Sequence, residues 1–249
     1  METFRDNYEH IDFNVMYVTK NIPGPGAEIE NFESEYCSGC SCKLICKDCI
    51  CTRGSPNYVD DLIVEEKLLE PIIECNSYCI CNNSCGNRLV QQGPLDCLEI
   101  VKSSKKGFCL QTNKLIRKGQ FICEYAGEVI GLMEAKKRME ENKRNKSMNF
   151  VLVVFEHLQE SKMVTCIDPK YFGNIGRYAN HSCEPNASLV PVRIEGVVPH
   201  ICLFASKNIA VGEEITFDYS GSSKDMSLSD TICHCASTNC LGFLPHNFI

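Results

Sequence analysis

The sequence predicts a mainly β fold of short sheets with a cysteine-rich module at each end, and three observations lead there. Runs of β-branched and aromatic residues recur between turn residues from Leu98 to Tyr219. Helical periodicity appears in one stretch of that region. The 19 cysteines crowd into two blocks, ten from Cys37 to Cys85 and three in the last 17 residues, around a middle that holds few.

Taken in order, residues 1–35 carry turn residues (IPGPGAEIE) and little periodicity, and read as an N-terminal arm. Residues 36–97 are cysteine-dense and apolar-poor; they bury too little to hold themselves, so metal has to supply stability. LEIVK (98–102), FCLQT (108–112), QFICEYA (120–126), NFVLVVFE (149–156), MVTCID (163–168), ASLVPVRI (187–194), HICLFA (200–205) and EITFDY (214–219) read as strands of a domain spanning 98–220. LMEAKKRMEENKRN (132–145) reads as an amphipathic helix with Leu132, Ala135 and Met139 on one face. Residues 221–232 read as a flexible linker into a final cysteine module, 233–249.

Composition narrows the classes. At 249 residues, 44% hydrophobic and 23% charged, the chain is an ordinary soluble globular protein by content. Its formal charge of −7 argues against intrinsic nucleic-acid binding and fits a basic partner. METFRDNYEH is too charged for a signal-peptide core, and the longest apolar run, FVLVVF, is far short of a membrane span, so neither secretion nor a membrane is expected. Four Asn-x-Ser triplets (Asn82, Asn145, Asn180, Asn186) would suit secretion, but such triplets are common by chance. The alternative of a disulfide scaffold is disfavoured by the odd cysteine count and the missing leader; thiols clustered at short spacing point to zinc.

The first block runs Cys40-x-Cys42-x3-Cys46-x2-Cys49-x-Cys51, then Cys75-x3-Cys79-x-Cys81-x3-Cys85. Nine thiolates overfill two separate four-coordinate zincs by one. They satisfy three, about twelve ligand places in all, when three sulfurs bridge. Cys37 is offset and becomes the spare. The second block, Cys233-x-Cys235-x4-Cys240, leaves a zinc one ligand short; His234 lies within it but is poorly placed to turn inward.

The stretch GNIGRYANHSCEPN (173–186) resembles the signature loop of SET domains, and KKGFCL (105–110), CEYAGEV (123–129) and GEEITFDYSG (212–221) resemble three further motifs in the family's order. The nine-cysteine block is similar to the pre-SET zinc cluster. The chain is therefore identified as a member of the SET-domain histone-lysine methyltransferases of the Su(var)-type group. GPGAEIE, NIGR, NHSCEPN, PVRIEGVVP and FLP place it closest to the methyltransferase part of SET–transposase fusions, over residues from about Gly24 to the C-terminus.

This resemblance implies a β-clip fold with a knot-like threaded C-terminal segment, flanked by pre-SET (36–97) and post-SET (233–249) zinc modules. It implies S-adenosyl-L-methionine as methyl donor, S-adenosyl-L-homocysteine as product, three zincs in the first block and one in the second. Cys183 of the signature loop supplies the fourth ligand to the second site. Tyr219 is implied to orient the lysine amine and help polarise the transferring methyl, while Tyr125 lines the lysine channel. Phe217 occupies the position that limits methyl number, and phenylalanine there implies at least dimethylation. Lys106, Gly107, Phe108, Phe150, Arg177, Asn180, His181 and Phe243 are implied to contact the cofactor. Four residues depart from the usual pattern: Phe108 for Trp, Cys109 for Gly, Phe150 for Tyr and Tyr178 for Phe. The departures at Phe108, Cys109 and Phe150, the last with the loss of a hydroxyl, keep open a second reading, a catalytically weak SET-fold module that binds or scaffolds chromatin.

The implied partner is the histone H3 tail, met on the nucleosome by a monomer in the nucleus, on chromosomes. The Su(var)-type likeness implies the ninth residue of that tail, and the fusion likeness the thirty-sixth or fourth. Adding −3 and −2 for the metal-loaded thiolate sites brings the formal −7 to about −12, a charge suited to a basic tail. The tail is expected to add as a strand along an exposed sheet edge.

Overall fold

The β-patterned runs become strands with unequal cover: Phe121–Glu124 and His200–Ala205 are buried almost throughout, whereas in Leu98–Ser103 only Leu98 is buried. The computed structural model describes residues 8, 10–43, 46–158, 161–220 and 228–245. The N-terminal part contains β1 (Met16–Tyr17), β2 (Ile22–Pro23), the short helix α1 (Ile29–Glu33), β3 (Tyr58–Val59), β4 (Leu62–Ile63) and β5 (Ile72–Ile73). Next come β6 (Leu98–Ser103), β7 (Gly107–Thr112), β8 (Phe121–Glu124), β9 (Gly127–Ile130) and the helix α2 (Leu132–Arg144). The remainder is β10 (Leu152–Leu158), β11 (Ser161–Gly173), β12 (Asn180–His181), β13 (Ala187–Arg193), β14 (His200–Ala205), β15 (Thr216–Phe217), β16 (Leu228–Ile232) and β17 (Phe243–Pro245). Among the described residues no helix is long and apolar enough to cross a membrane.

Each run expected as a strand contains one, although EITFDY contributes only the two residues of β15. GEVI, unassigned from sequence, is β9. Its glycine hides the alternation and is required by packing: a Cβ on Gly127 would sit 2.8 Å from the Asp168 carbonyl oxygen and from Pro169. The arm is no loose lead-in. β1 pairs in parallel with β11, and β2 with β9, as outer members of a five-stranded sheet. Two-residue strands are too short to leave a period in the sequence.

A second sheet, in the order β5–β13–β14–β8, ties the cysteine-rich module to the strand-rich remainder through the parallel pair of β5 and β13. Its apolar faces and β7 enclose Leu110, Ile122, Ile167, Ile175, Ile201, Leu203 and Ile215, all fully buried. Helix α2 falls as expected, but its buried face is smaller than read. Ala135 is buried and Met139 packs on Ile130, Val151 and Cys166, whereas Leu132, the first helical residue, is 37% exposed. Ion pairs make up the difference: Arg138 reaches Glu128 and Asp168, each at 2.8 Å, and so pins the helix across β9 and β11.

Of the expected linker, residues 221–227 lie outside the described residues. Residues 228–232 are β16, hydrogen-bonded to β17 in the register Ile232 to Phe243, in place of a flexible tether. The polar composition SLSD concealed that strand.

Linking the two sheets, Arg193 at the end of β13 meets Glu156 of β10 in a two-pronged pair, 2.7 and 2.8 Å, with the two side chains 0% and 4% exposed. The guanidinium also donates to the Val197 carbonyl at 3.0 Å and lies 4.8 Å from the Tyr36 ring. Removing one member strands a buried charge, so Arg193→Met should destabilise the protein by about 3–5 kcal/mol in denaturant unfolding. Adding Glu156→Leu to that variant should recover most of the loss.

Candidate active site and metal centres

The signature loop begins with a capped turn. Asn174 accepts from the Gly176 and Ala126 backbone N–H groups at 3.1 and 3.2 Å, which fixes the turn Ile175–Tyr178 against the end of β8. Gly176 has to be glycine here, because a Cβ would lie 2.2 Å from the Glu124 carbonyl oxygen. The turn delivers Arg177, which donates to the Pro169 carbonyl at 2.9 Å and covers the Phe150 ring at 4.4 Å. Tyr178 follows, edge-on to Phe108 with ring centres 5.9 Å apart. Its hydroxyl shares a 2.9 Å hydrogen bond with His10 of the arm, a partner that phenylalanine would not have.

Past the turn, β12 lies parallel to β15, with Asn180 opposite Thr216 and His181 opposite Phe217. On its other flank the second segment bonds β7, Ile215 N–H to Leu110 oxygen at 2.7 Å. Asn186 accepts from Thr216 N–H at 2.9 Å and donates to the Glu214 carbonyl at 2.8 Å, locking the threaded segment.

This threading gathers the aromatic residues singled out from sequence. Phe217 packs between Tyr125, 5.9 Å between ring centres, and Tyr219, 4.8 Å. The Tyr125 hydroxyl donates to the Phe150 carbonyl at 2.6 Å and the Tyr219 hydroxyl to the Ala179 carbonyl at 3.2 Å. Burial pushes both phenols above their ordinary pKa, with the Glu214 carboxylate adding to the rise at Tyr219. Both hydroxyls therefore keep their protons at neutral pH. His181 accepts from the Tyr219 backbone N–H at Nδ1, 3.2 Å, which assigns the ring proton to Nε2, 3.4 Å from Cys183 Sγ. Burial holds this imidazole below its usual pKa, against the pull of Asp218, so it is neutral.

Lys106 and Asn180 converge on Glu214. The Lys106 ammonium pairs with one carboxylate oxygen, and Asn180 Nδ2 donates to the other at 3.0 Å. Phe243, on β17, is 43% exposed.

No two of the 19 cysteines are joined in a disulfide. Cys183, Cys233, Cys235 and Cys240 hold their sulfurs within 4.8 Å of one another, while His234 is exposed. Leu241 N–H donates to Cys183 Sγ at 3.4 Å, fastening the C-terminal module to the signature loop. In the first block three quartets form, Cys40–Cys42–Cys46–Cys49, Cys40–Cys75–Cys79–Cys81 and Cys46–Cys75–Cys81–Cys85. Cys40, Cys46 and Cys75 form their own triangle, at 3.6, 3.6 and 4.0 Å. Cys51 belongs to none of the quartets but lies 3.7 Å from Cys79. A tetrahedron with Zn–S bonds of about 2.3 Å has sulfur–sulfur edges of about 3.8 Å, so these spacings fit zinc. N–H groups aimed at the sulfurs, among them Asn87 on Cys75 at 3.4 Å and Arg88 on Cys81 at 3.8 Å, offset thiolate charge. Cys37 is buried but stands outside the quartets.

Residues 107–220 match the SET domain and residues 3–88 the Pre-SET motif. The chain is 40% identical to mouse histone-lysine N-methyltransferase SETMAR over 93% of its length and 81% of the mouse protein. This chain belongs to the SET-domain histone-lysine methyltransferases. The crystal structure of the methyltransferase domain of human SETMAR superposes with a TM-score of 0.83 at 36% identity, covering 96% of this chain and 91% of that one. KRYPTONITE, solved with mCHH DNA, an H3(1-15) peptide and SAH, gives 0.72 at 26% identity over 93% of this chain and 48% of its own. The family expected from the four motifs is thus shown, as is the threaded mainly β fold.

Sequence reasoning did not find Glu214, His10, Asn87 or Arg88 in this SET methyltransferase. Glu214 lay inside a quoted motif, and its partner Lys106 is 108 positions away. The others act through contacts that leave no local pattern.

Proposed function

We propose that this methyltransferase moves methyl groups from S-adenosyl-L-methionine to a lysine of the histone H3 tail, reaching at least dimethyl-lysine. The observation that carries the proposal is the Tyr125–Phe217–Tyr219 cluster beside the β12–β15 junction. The target is the thirty-sixth or fourth residue of the tail, with the ninth as the alternative. Such a substrate places the enzyme on chromosomes in the nucleus, acting as a monomer.

A free lysine amine has a pKa of about 10.4, so losing its proton at pH 7 costs about 4–5 kcal/mol. Apolar ring walls lower that cost by disfavouring the ammonium. The two phenols already donate to carbonyls, so the lone pairs of their oxygens remain to accept N–H bonds from the neutral amine. Held by its hydrogens, the nitrogen would keep its own lone pair free to take the methyl. When bound, the cofactor supplies an electrophilic methyl on sulfonium sulfur. Lys106, Gly107, Phe108, Phe150, Arg177, Asn180, His181 and Phe243 would hold it.

Cys40, Cys42, Cys46, Cys49, Cys51, Cys75, Cys79, Cys81 and Cys85 would hold three zincs, with Cys40, Cys46 and Cys75 as the bridges. The triangle of those three sulfurs supports this assignment. Cys183, Cys233, Cys235 and Cys240 would hold a fourth.

Tritium transfer from labelled donor to a peptide array spanning the H3 tail tests the proposal; an array with no labelled spot refutes it. Phe217→Tyr introduces a hydroxyl that holds water beside the amine. A mass-spectrometric time course should then stop at monomethyl-lysine, where the unmodified enzyme goes on to dimethyl.

A further inference from the structure

Asn180 is held in an unusual way for a residue that would meet a ligand. Its Nδ2 donates to the Phe108 carbonyl at 3.0 Å and to Glu214 Oε1 at 3.0 Å, with Cys109 Sγ at 3.3 Å. A primary amide has two N–H groups and one oxygen. Two protein oxygens consume both hydrogens, so only Oδ1, an acceptor, is left to offer a ligand. The other oxygen of Glu214 takes Lys106 Nζ. Both side chains of that pair are largely covered, 18% and 20% exposed.

We propose that Glu214 is a positioning residue for the methyl donor: it fixes the Asn180 amide so that Oδ1 faces the ammonium of the donor's amino-acid end. This rests on the cofactor site placed above. Only a carboxylate can serve at this position. Lys106 and Asn180 both donate, and a carboxylate accepts at both oxygens. An amide accepts at one end alone, so glutamine would satisfy Lys106 or Asn180 while turning an NH2 group on the other. With its carboxylate anchor gone, Asn180 keeps only the Phe108 carbonyl as an oxygen acceptor and can turn, and in the turned state it sets N–H against an ammonium.

The proposal gives a sign opposite to simple charge arithmetic. Neutralising Glu214 releases Lys106 from its counter-charge, which would tighten the hold on the donor's carboxylate. Loss of amide orientation weakens binding instead. For Glu214→Gln, the dissociation constant of S-adenosyl-L-homocysteine, read by titration calorimetry on the full zinc-loaded chain, should rise about tenfold. KM for the donor should rise in step, while kcat at saturating donor changes less than about twofold. In an Asn180→Ala background the same substitution should cause no further weakening, since only the release of Lys106 is left to act. Glu214→Asp, which keeps the charge but shortens its reach, should fall between the two and gives the comparison should Glu214→Gln not fold.

Unchanged or tighter binding in Glu214→Gln overturns the proposal, as does a further weakening of equal size in the Asn180→Ala background. If the unsubstituted protein does not bind the nucleoside at all, the cofactor site itself is wrong, a different failure from either of these.

Discussion

Tyr219→Phe should lower the methyl-transfer rate by about 10²–10³-fold at saturating donor and peptide, the usual cost of deleting one preorganised polar group at a reacting centre. The hydroxyl is fixed from two directions: it donates to the Ala179 carbonyl at 3.2 Å, and its residue is tethered through the backbone N–H to His181 at 3.2 Å. The substitution removes one oxygen and leaves the ring against Phe217, so the fold and the peptide KM should change little. Single-turnover kinetics on the zinc-loaded enzyme supplies the measurement. Because burial keeps both phenols protonated well past neutrality, neither acts as the base. The rise of rate with pH should then follow the substrate amine and keep its shape in the variant. A variant within about threefold of the parent rate would remove Tyr219 from the reaction.

Cys183→Ser should take the zinc content from about four ions to about three and lower turnover at least about 100-fold, with the main thermal transition nearly unmoved. The sulfur joins three parts: Cys233 at 4.0 Å, the Leu241 N–H at 3.4 Å and His181 Nε2 at 3.4 Å. Serine neither completes a thiolate tetrahedron nor reaches these partners from its shorter bond. The C-terminal module then loses its seat on the signature loop, and His181, which holds the Tyr219 backbone, loses its acceptor. The two central sheets have no part in that contact. Atomic emission, calorimetry and turnover on one preparation separate the effects; unchanged zinc content would refute the bridge, and full turnover with one zinc missing would refute its part in catalysis.

The catalytic strands were legible because β-branched runs repeat between turn residues, and the ligand cysteines because metal sites reuse short spacings. What escaped was held by distance or by shape. β9 was masked by Gly127, whose lack of a side chain answers to Pro169 some forty residues on. The arm's strands β1 and β2 draw their stability from β11 and β9, far along the chain. The resemblance named Lys106 and Asn180, but not Glu214 that joins them. The expected surface of Leu132 on helix α2 gave way to the ion pairs of Arg138, since a charge paired at 2.8 Å with Glu128 and Asp168 orients a helix as firmly as an apolar contact.

The pairing of His181 with Phe217 and of Asn180 with Thr216 also bears on synthesis. Ribosomes add about 5–20 residues each second, and contacts between remote segments form slowly. A nascent chain halted before Thr216 owns the signature loop yet has no pocket, so no bound nucleoside can shelter it from proteases. Premature stops in this stretch should therefore yield species that ligands cannot rescue, whereas longer chains gain protection from the donor once β15 has paired with β12.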